Sequence, residues 1–225
     1  MLSHNKIQAL ILGNGEPPSR TLFDRLMQKG PLLVCADGGA NTAVGYGYAP
    51  DYVIGDLDSL DENARSGVEA GRVIRIDADD TSTDLYKVLD HLGDLGVTRA
   101  VMVGVTGGRI DHVLWNLSLL VTFGNRLQLR ILDDHCDSRL VGEYIRFRAA
   151  VGRKLSLCPL SGPVSGIETR GLKFPLRGET LSPGVRDGIS NEVVDNPVEI
   201  RVGQGDLLLC IQRGEGWEDW PCLPL

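Results

Sequence analysis

Cysteine pairs at metal-ligand spacing are missing from this chain. Its five cysteines, Cys35, Cys136, Cys158, Cys210 and Cys222, lie far apart and no C-x-x-C occurs. Neither a zinc site nor a disulfide framework is signalled. No apolar run approaches a membrane span, and the opening M-L-S-H-N-K lacks the apolar core of a signal peptide. The expectation is a reducing cytoplasm, no membrane partner, and packed thiols at Cys35 and Cys210. Positive charge is also in deficit: 23 Lys and Arg face 30 Asp and Glu, a net charge of -7. That balance gives no electrostatic footprint for DNA or RNA. An anionic substrate would need a metal and locally placed Lys or Arg, whereas a cationic substrate finds the field favourable. There is no Walker lysine motif, and no Ser–His or Cys–His nucleophile arrangement is evident. Gly13-Asn14-Gly15-Glu16 runs into Pro17 and Pro18, so it is not a dinucleotide fingerprint either.

What is present is an ordinary globular composition, 225 residues with 42% hydrophobic and 24% charged. This is enough to bury a sizeable core. The first half alternates short apolar strands (6–12, 31–36, 52–54, 73–76, 99–105 and 127–132) with helical patterns. Ser19 caps the first helix, with Leu22, Phe23 and Leu26 inward. A helix over about 60–70 follows the third strand. Ser82 or Thr83 caps another helix, with Leu85, Val88, Leu89 and Leu92 inward. The last runs to about Phe123, with Val113, Leu114, Leu117 and Leu120 as its core face. The pattern predicts an open, mostly parallel Rossmann-like sheet with flanking helices, whose strand ends share one ligand-binding edge.

Chemistry clusters directly after those strands. V-I-G-D-L-D-S-L (53–60) sets Asp56 and Asp58 one residue apart, which on an extended segment points both carboxylates the same way. Adjacent carboxylates repel unless a cation lies between them, and a hard one such as Mg2+ suits oxygen donors and phosphates. The plain alternative is a helix start capped by Ser59 and Glu62. After the second strand, Gly38 and Gly39 permit close approach of a phosphate or sugar. Asp37 can hold a ribose hydroxyl or a metal-bound water, or merely cap a helix. Asp84, Lys87 and His91 fall along one helix face, so a metal carboxylate and a phosphate lysine sit one turn apart. The alternative there is an exposed ion pair worth about 0.3–0.5 kcal/mol. After the fifth strand, Gly107 and Gly108 free the backbone, Arg109 can fork onto phosphate oxygens, and Asp111 can orient Arg109 or bind metal. From these residues alone the reading is Mg-dependent phosphoryl or nucleotidyl chemistry.

From about Asp133 the texture changes. Short β-type runs (139–141, 144–148, 154–158, 164–169, 193–195, 198–201 and 207–211) alternate with Gly/Pro turns, as in an antiparallel sandwich. Two domains follow from this: residues 1–134, α/β, and residues 135–225, a β-sandwich.

The chain resembles the thiamine pyrophosphokinase (thiamine diphosphokinase) family over nearly its full length. The resemblance rests on C-A-D-G-G-A-N (35–41), I-G-D-L-D-S (54–59), T-S-T-D-L-Y-K (81–87) and G-G-R-I-D-H (107–112). G-L-K-F-P-L (171–176) and G-I-S-N-E (188–192) extend it into the second half. It implies an α/β plus β-sandwich homodimer with sites formed between subunits. The implied reaction moves a pyrophosphoryl group from ATP to the hydroxyethyl oxygen of thiamine, giving thiamine diphosphate and AMP. By that resemblance Asp56, Asp58 and Asp84 bind Mg2+, and Asp111 sits at the reacting centre. Thr83, Lys87 and Arg109 hold ATP phosphates, with Asp37, Gly38, Gly39 and Asn41 lining the nucleotide or phosphate side. Ser190, Asn191 and Phe174 form the thiamine pocket in the second domain, which also carries dimerisation. Phe174 stands where some relatives look to carry tryptophan, and a core position in the sandwich is its alternative. Competing readings are another Mg-dependent diphosphotransferase with a different alcohol acceptor, and a non-catalytic nucleotide sensor.

Overall fold

The computed structural model describes residues 7–69, 72–76 and 82–214. The acidic run at 77–80 and the Trp-rich end of the chain lie outside the described residues. Two compact units are present, Met1–Asp134 and His135–Leu225.

In the first unit, β1 (Ala9–Leu12), β2 (Leu32–Ala36), β3 (Tyr52–Gly55), β4 (Val73–Arg75), β5 (Arg99–Val103) and β6 (Gln128–Leu132) run parallel in the order β6-β5-β1-β2-β3-β4. Every residue of β1 is buried, as expected of a strand covered on both faces. The chain steps outward from β1 to β4, then returns to lay β5 on the other side of β1. Helices α1 (Arg20–Met27), α2 (Gly39–Gly45), α3 (Glu62–Ser66), α4 (Asp84–Asp94) and α5 (Ile110–Phe123) connect the strands. Ser19 caps α1 through a bond from the Leu22 N–H, and Thr83 caps α4 through one from Tyr86. Leu22, Phe23 and Leu26 on α1, and Leu85, Val88, Leu89 and Leu92 on α4, are buried. Each such side chain is worth about 1.5–3 kcal/mol on burial.

Three local expectations are corrected. The helix after the D-x-D covers five residues and is capped by Asp61 rather than Ser59. Asp61 lies three residues before Ala64, whose N–H its carboxylate accepts at 2.7 Å. On α5 the buried residues are Leu119, Leu120 and Phe123, while Leu114 is 62% exposed. An apolar-rich stretch such as I-D-H-V-L-W-N-L-S-L-L-V has several candidate faces, and periodicity could not choose the one turned inward.

In the second unit β7 (Cys136–Val141), β8 (Tyr144–Phe147), β9 (Lys154–Pro159), β10 (Val164–Arg170), β11 (Arg177–Leu181), β12 (Gly188–Glu192), β13 (Val198–Arg201) and β14 (Leu207–Gln212) are all antiparallel. The run β12-β9-β14-β7 faces the sheet β11-β10-β13-β8. Between them lies one core that includes Ile145, Phe147, Leu155, Leu157, Ile167, Leu181, Val198, Ile200, Leu207, Leu209 and Ile211. Alternate residues of β8, β9, β13 and β14 supply most of it, which is the sandwich pattern. β11 and β12 escaped the sequence reading because R-G-E-T-L and G-I-S-N-E carry little apolar alternation. The expected strand at 193–195 is instead a single bridge, Leu172 to Val193, that drops Val193 into the core.

Packing of the parallel unit depends on one glycine above all. A Cβ on Gly39 would overlap the Leu12 carbonyl oxygen, so α2 lies on the end of β1 only without a side chain there. Gly39→Ala is expected to lower stability by about 1–3 kcal/mol in chemical denaturation. Gly45→Ala, in the same helix with open space around it, should leave it unchanged or slightly higher.

Candidate active site

The parallel strands deliver Asp37, Asp56, Asp58 and Asp84 to one edge of the first unit. Asp37 follows β2, Asp56 and Asp58 follow β3, and Asp84 opens α4. Carboxylate oxygens of Asp37, Asp56 and Asp58 all lie within 4.8 Å of one another. Asp84 flanks the group across Gly55, where an added Cβ would meet Asp37 on one side and the Asp84 carboxylate at 3.1–3.2 Å on the other.

Convergence of Asp56 and Asp58 does not come from an extended segment. β3 ends at Gly55, and Leu57 sits at φ 67°, in the left-handed region. A branched aliphatic residue there is costly, at about 1–2 kcal/mol, and the surroundings hold it. The Asp58 N–H donates to Asp56 Oδ1 at 3.3 Å, and the Ser59 hydroxyl donates to Asp58 Oδ1 at 2.9 Å. Asp37 is itself at φ 42° and 4% exposed. Its Oδ2 accepts the Ser59 N–H at 3.2 Å, while its buried Oδ1 has no hydrogen-bond partner among the described residues. A buried carboxylate oxygen without a donor, aimed among two further carboxylates, is what a hard divalent cation requires.

Asn41, which the resemblance places on the nucleotide or phosphate side, holds a loop. Its amide donates to the Ser59 carbonyl at 2.8 Å and accepts from the Asp61 N–H at 3.0 Å. Both ends of the side chain therefore pin the loop that holds Asp56 and Asp58. Gly38 packs on the Asn14 side chain and Gly39 on β1, so their missing side chains are explained by protein contacts.

Lys87 is buried at 6% exposure, not solvated as the plain alternative had it. Its ammonium donates to Asp84 Oδ1 and to the Ile76 carbonyl, each at 3.2 Å. Among the described residues these are its two partners, leaving one of its three donors for a ligand. Burial raises the Asp84 carboxyl above its usual value. The Lys87 bond opposes this, and the charges of Asp56 and Asp37 add to it. Thr83, besides capping α4, accepts the indole N–H of Trp115 at 3.2 Å. Trp115 is a missed residue: no spacing in the sequence relates it to a helix cap 32 positions earlier. His91 packs edge-on against Tyr52.

Arg109 stands at the N-cap of α5 and Asp111 in its first turn, paired to each other rather than to the carboxylate group. The guanidinium grips Asp111 through two bonds, 3.1 and 2.5 Å long, in the open. That grip pushes the Asp111 carboxyl down to about 2. So weak a base is poorly matched to proton abstraction at neutral pH.

In the second unit Asn191 is buried, and its amide spans the Phe174 main chain, accepting from N–H at 3.1 Å and donating to C=O at 2.8 Å. Phe174 itself is 61% exposed, which removes the core alternative. Ser190 is exposed at φ 60°, with its N–H on Ser156 Oγ at 3.1 Å. The structure thus joins Asn191 to Phe174 as support and presented ring.

Residues 23–132 match the family model described as thiamin pyrophosphokinase, catalytic domain, and residues 144–207 match thiamin pyrophosphokinase, vitamin B1 binding domain. The chain belongs to the thiamine pyrophosphokinase family. Thiamine pyrophosphokinase of Bacillus subtilis (strain 168) is 28% identical, with 79% of this chain and 86% of that one covered. Thiamine pyrophosphokinase 1 of Oryza sativa subsp. japonica is 27% identical over 83% and 80%. Among solved structures, thiamin pyrophosphokinase from Geobacillus thermodenitrificans superposes with a TM-score of 0.77 at 25% identity, over 93% of this chain and 99% of that one. The Candida albicans structure gives 0.81 over 93% and 90%, and at 17% identity that likeness speaks for the fold alone.

Removing one of several repelling carboxylates should not harm the metal-free fold. Asp56→Asn is expected to melt no lower than wild type without divalent cations. It should lose most of the rise in melting temperature that Mg2+ gives wild type, as read by a thermal scan across Mg2+ concentrations.

Proposed function

We propose that this chain is an ATP:thiamine diphosphotransferase, moving the pyrophosphoryl group of ATP to the hydroxyethyl oxygen of thiamine and releasing AMP. The observation that carries the reading is the Asp37–Asp56–Asp58 group beside Asp84 and Lys87, in a chain of this family.

The donor set suits Mg2+: all oxygen, clustered, and including one buried oxygen without a donor. Asp37, Asp56 and Asp58 would hold the ion, with Asp84 beside them; Asp37 thus joins the carboxylates expected from the sequence. When bound, the ion neutralises charge on the polyphosphate. The remaining steps belong to side chains. Lys87 directs its third proton at a phosphate oxygen, and Thr83 fixes the first turn of α4 alongside. Arg109 turns the guanidinium donors that Asp111 does not occupy toward phosphate oxygens. Asp111 then acts by orienting Arg109, and Asp58, the exposed member of the carboxylate group, is the proposed acceptor of the hydroxyl proton. Positioning and charge stabilisation account for most catalysis in this class of transfer. Thiamine would stack on Phe174, presented by Asn191, with the Ser190 hydroxyl at its pyrimidine end. The proposed assembly is a homodimer and the proposed compartment the cytoplasm. Among the described residues no helix is long and apolar enough to cross a membrane.

Stoichiometric AMP and thiamine diphosphate from ATP, Mg2+ and thiamine are expected, with Asp56→Asn slower by about 100-fold or more. ADP with thiamine monophosphate would instead mean simple phosphorylation. Phe174→Ala should raise KM for thiamine about tenfold, the scale of a lost aromatic contact, and leave KM for ATP in place. Because Asp111 ionises near 2, the rate above about pH 4 should carry no ionisation from it. Asp111→Asn should lower the pH–rate curve without changing its shape; a lost limb would restore Asp111 as the base.

A further inference from the structure

The second unit gathers three of the chain's scattered cysteines. On β7, β14 and β9 the core takes Val141, Leu155, Leu157, Leu207, Leu209 and Ile211. The intervening residues, among them Cys136, Cys158 and Cys210, turn to the other face. Strand register sets Cys210 opposite Ser138 on one side and Ser156 on the other, with Gln212 opposite Cys136 and Leu208 opposite Cys158. The thiols therefore form a diagonal row across three strands. Cys210 is hydrogen-bonded to both of its neighbours in the row, and Cys136 Sγ lies 3.4 Å from Ser138 Oγ. All three are reduced and half-buried, within reach of a small solute, whereas Cys35 is fully buried.

The row is chemically asymmetric. The hydrogen bond from Cys210 holds the Cys158 thiol below its ordinary value, against partial burial and the charges of Asp187 and Cys136. Cys210 is drawn down by Cys136, but its bond to Cys158 and its burial together push it up to about 11. The shifts favour thiolate at Cys158 over Cys210. A thiolate attacks oxidants and a thiol alongside resolves the product.

We propose that Cys158 and Cys210 form a dithiol oxidised by hydroperoxides, with Cys136 as its exchange partner. The Cys158 thiolate attacks one peroxide oxygen, the O–O bond breaks, and the products are a Cys158 sulfenic acid and hydroxide (alkoxide from an organic hydroperoxide). Cys210 sulfur then attacks Cys158 sulfur and gives up its proton, and the S–O bond breaks to release water. The two-electron oxidation leaves one S–S bond. Cys136 sulfur can next attack Cys210 sulfur, forming Cys136–Cys210 and passing its proton to the departing Cys158 sulfur. Contracting a thiol contact to an S–S bond of about 2.05 Å draws β9 toward β14. β9 also pairs with β12, where the Ser190 N–H rests on Ser156 Oγ. Oxidation therefore weakens thiamine recognition, a consequence that rests on the role proposed for Ser190.

The test uses the full chain with Cys222→Ser, treated with hydrogen peroxide, alkylated and peptide-mapped without reduction. A Cys158–Cys210 bond, or its Cys136–Cys210 exchange product, is expected and should reverse with dithiothreitol. Adding Cys210→Ser should instead trap Cys158 sulfenic acid as a dimedone adduct, and Cys136→Ser should keep the Cys158–Cys210 bond. The oxidised protein should show a severalfold rise in KM for thiamine, with KM for ATP unmoved. Full alkylation of Cys158 and Cys210 after peroxide would overturn the proposal. A mapped bond with KM for thiamine unchanged would overturn the coupling. A reduced protein that binds ATP but does not turn over thiamine would sink the functional reading, leaving the disulfide map to judge the thiols.

Discussion

Mutual repulsion of carboxylates governs the first unit. Three carboxylate groups meet within 4.8 Å, and like charges at such separations repel, least at the exposed Asp58 where solvent screens them. The hydrogen bonds that hold them, Ser59 N–H on Asp37 and Asp58 N–H on Asp56, oppose that repulsion. The fold tolerates it because the sheet and helices fix the backbone on which the carboxylates stand, and a bound cation would reverse its sign. Leu57 in the left-handed region is the local expression of this constraint: strain is retained where the chain must point two charges at one place.

Around the cluster, a second set of residues acts at one remove. Asn41 ties the loop after β3 to α2, Trp115 ties α5 to the cap of α4, and Asn191 ties β12 to the Phe174 loop. None of these needs to touch a ligand to matter, because each fixes a side chain that would. Arg109 and Asp111 illustrate the same economy within a single turn. The carboxylate keeps the guanidinium fork aligned in the absence of phosphate, and in doing so becomes too weak a base to take a proton itself.

The order of strands and helices in the first unit was legible because buried parallel strands read as apolar runs and α1 and α4 show a clear helical period. Legibility failed where the period was ambiguous or the apolar content low. On α5 the apolar positions spread over more than one face, so Leu114 was expected inside and lies outside. In the second unit β11 and β12 are polar strands, recognisable only by the neighbours that hydrogen-bond to them. Asp56, Asp58, Asp84 and Lys87 stood out as residue types at telling spacings. Asp37 joined the carboxylate group only once β2 and β3 were side by side.

The sequence by itself determined the residue inventory, the change from helical to β texture near Asp133 and the motif blocks of the family. All of these are local in the chain, where spacing and composition act directly. Tertiary structure decided which groups meet. Asp37 joined Asp56 and Asp58 across 19 or more residues, Lys87 lost its solvent, and Cys136, Cys158 and Cys210 came into one row across 74. Those contacts depend on strand order and register, which arise from hydrogen bonding and burial over the whole unit, and no short-range pattern encodes them.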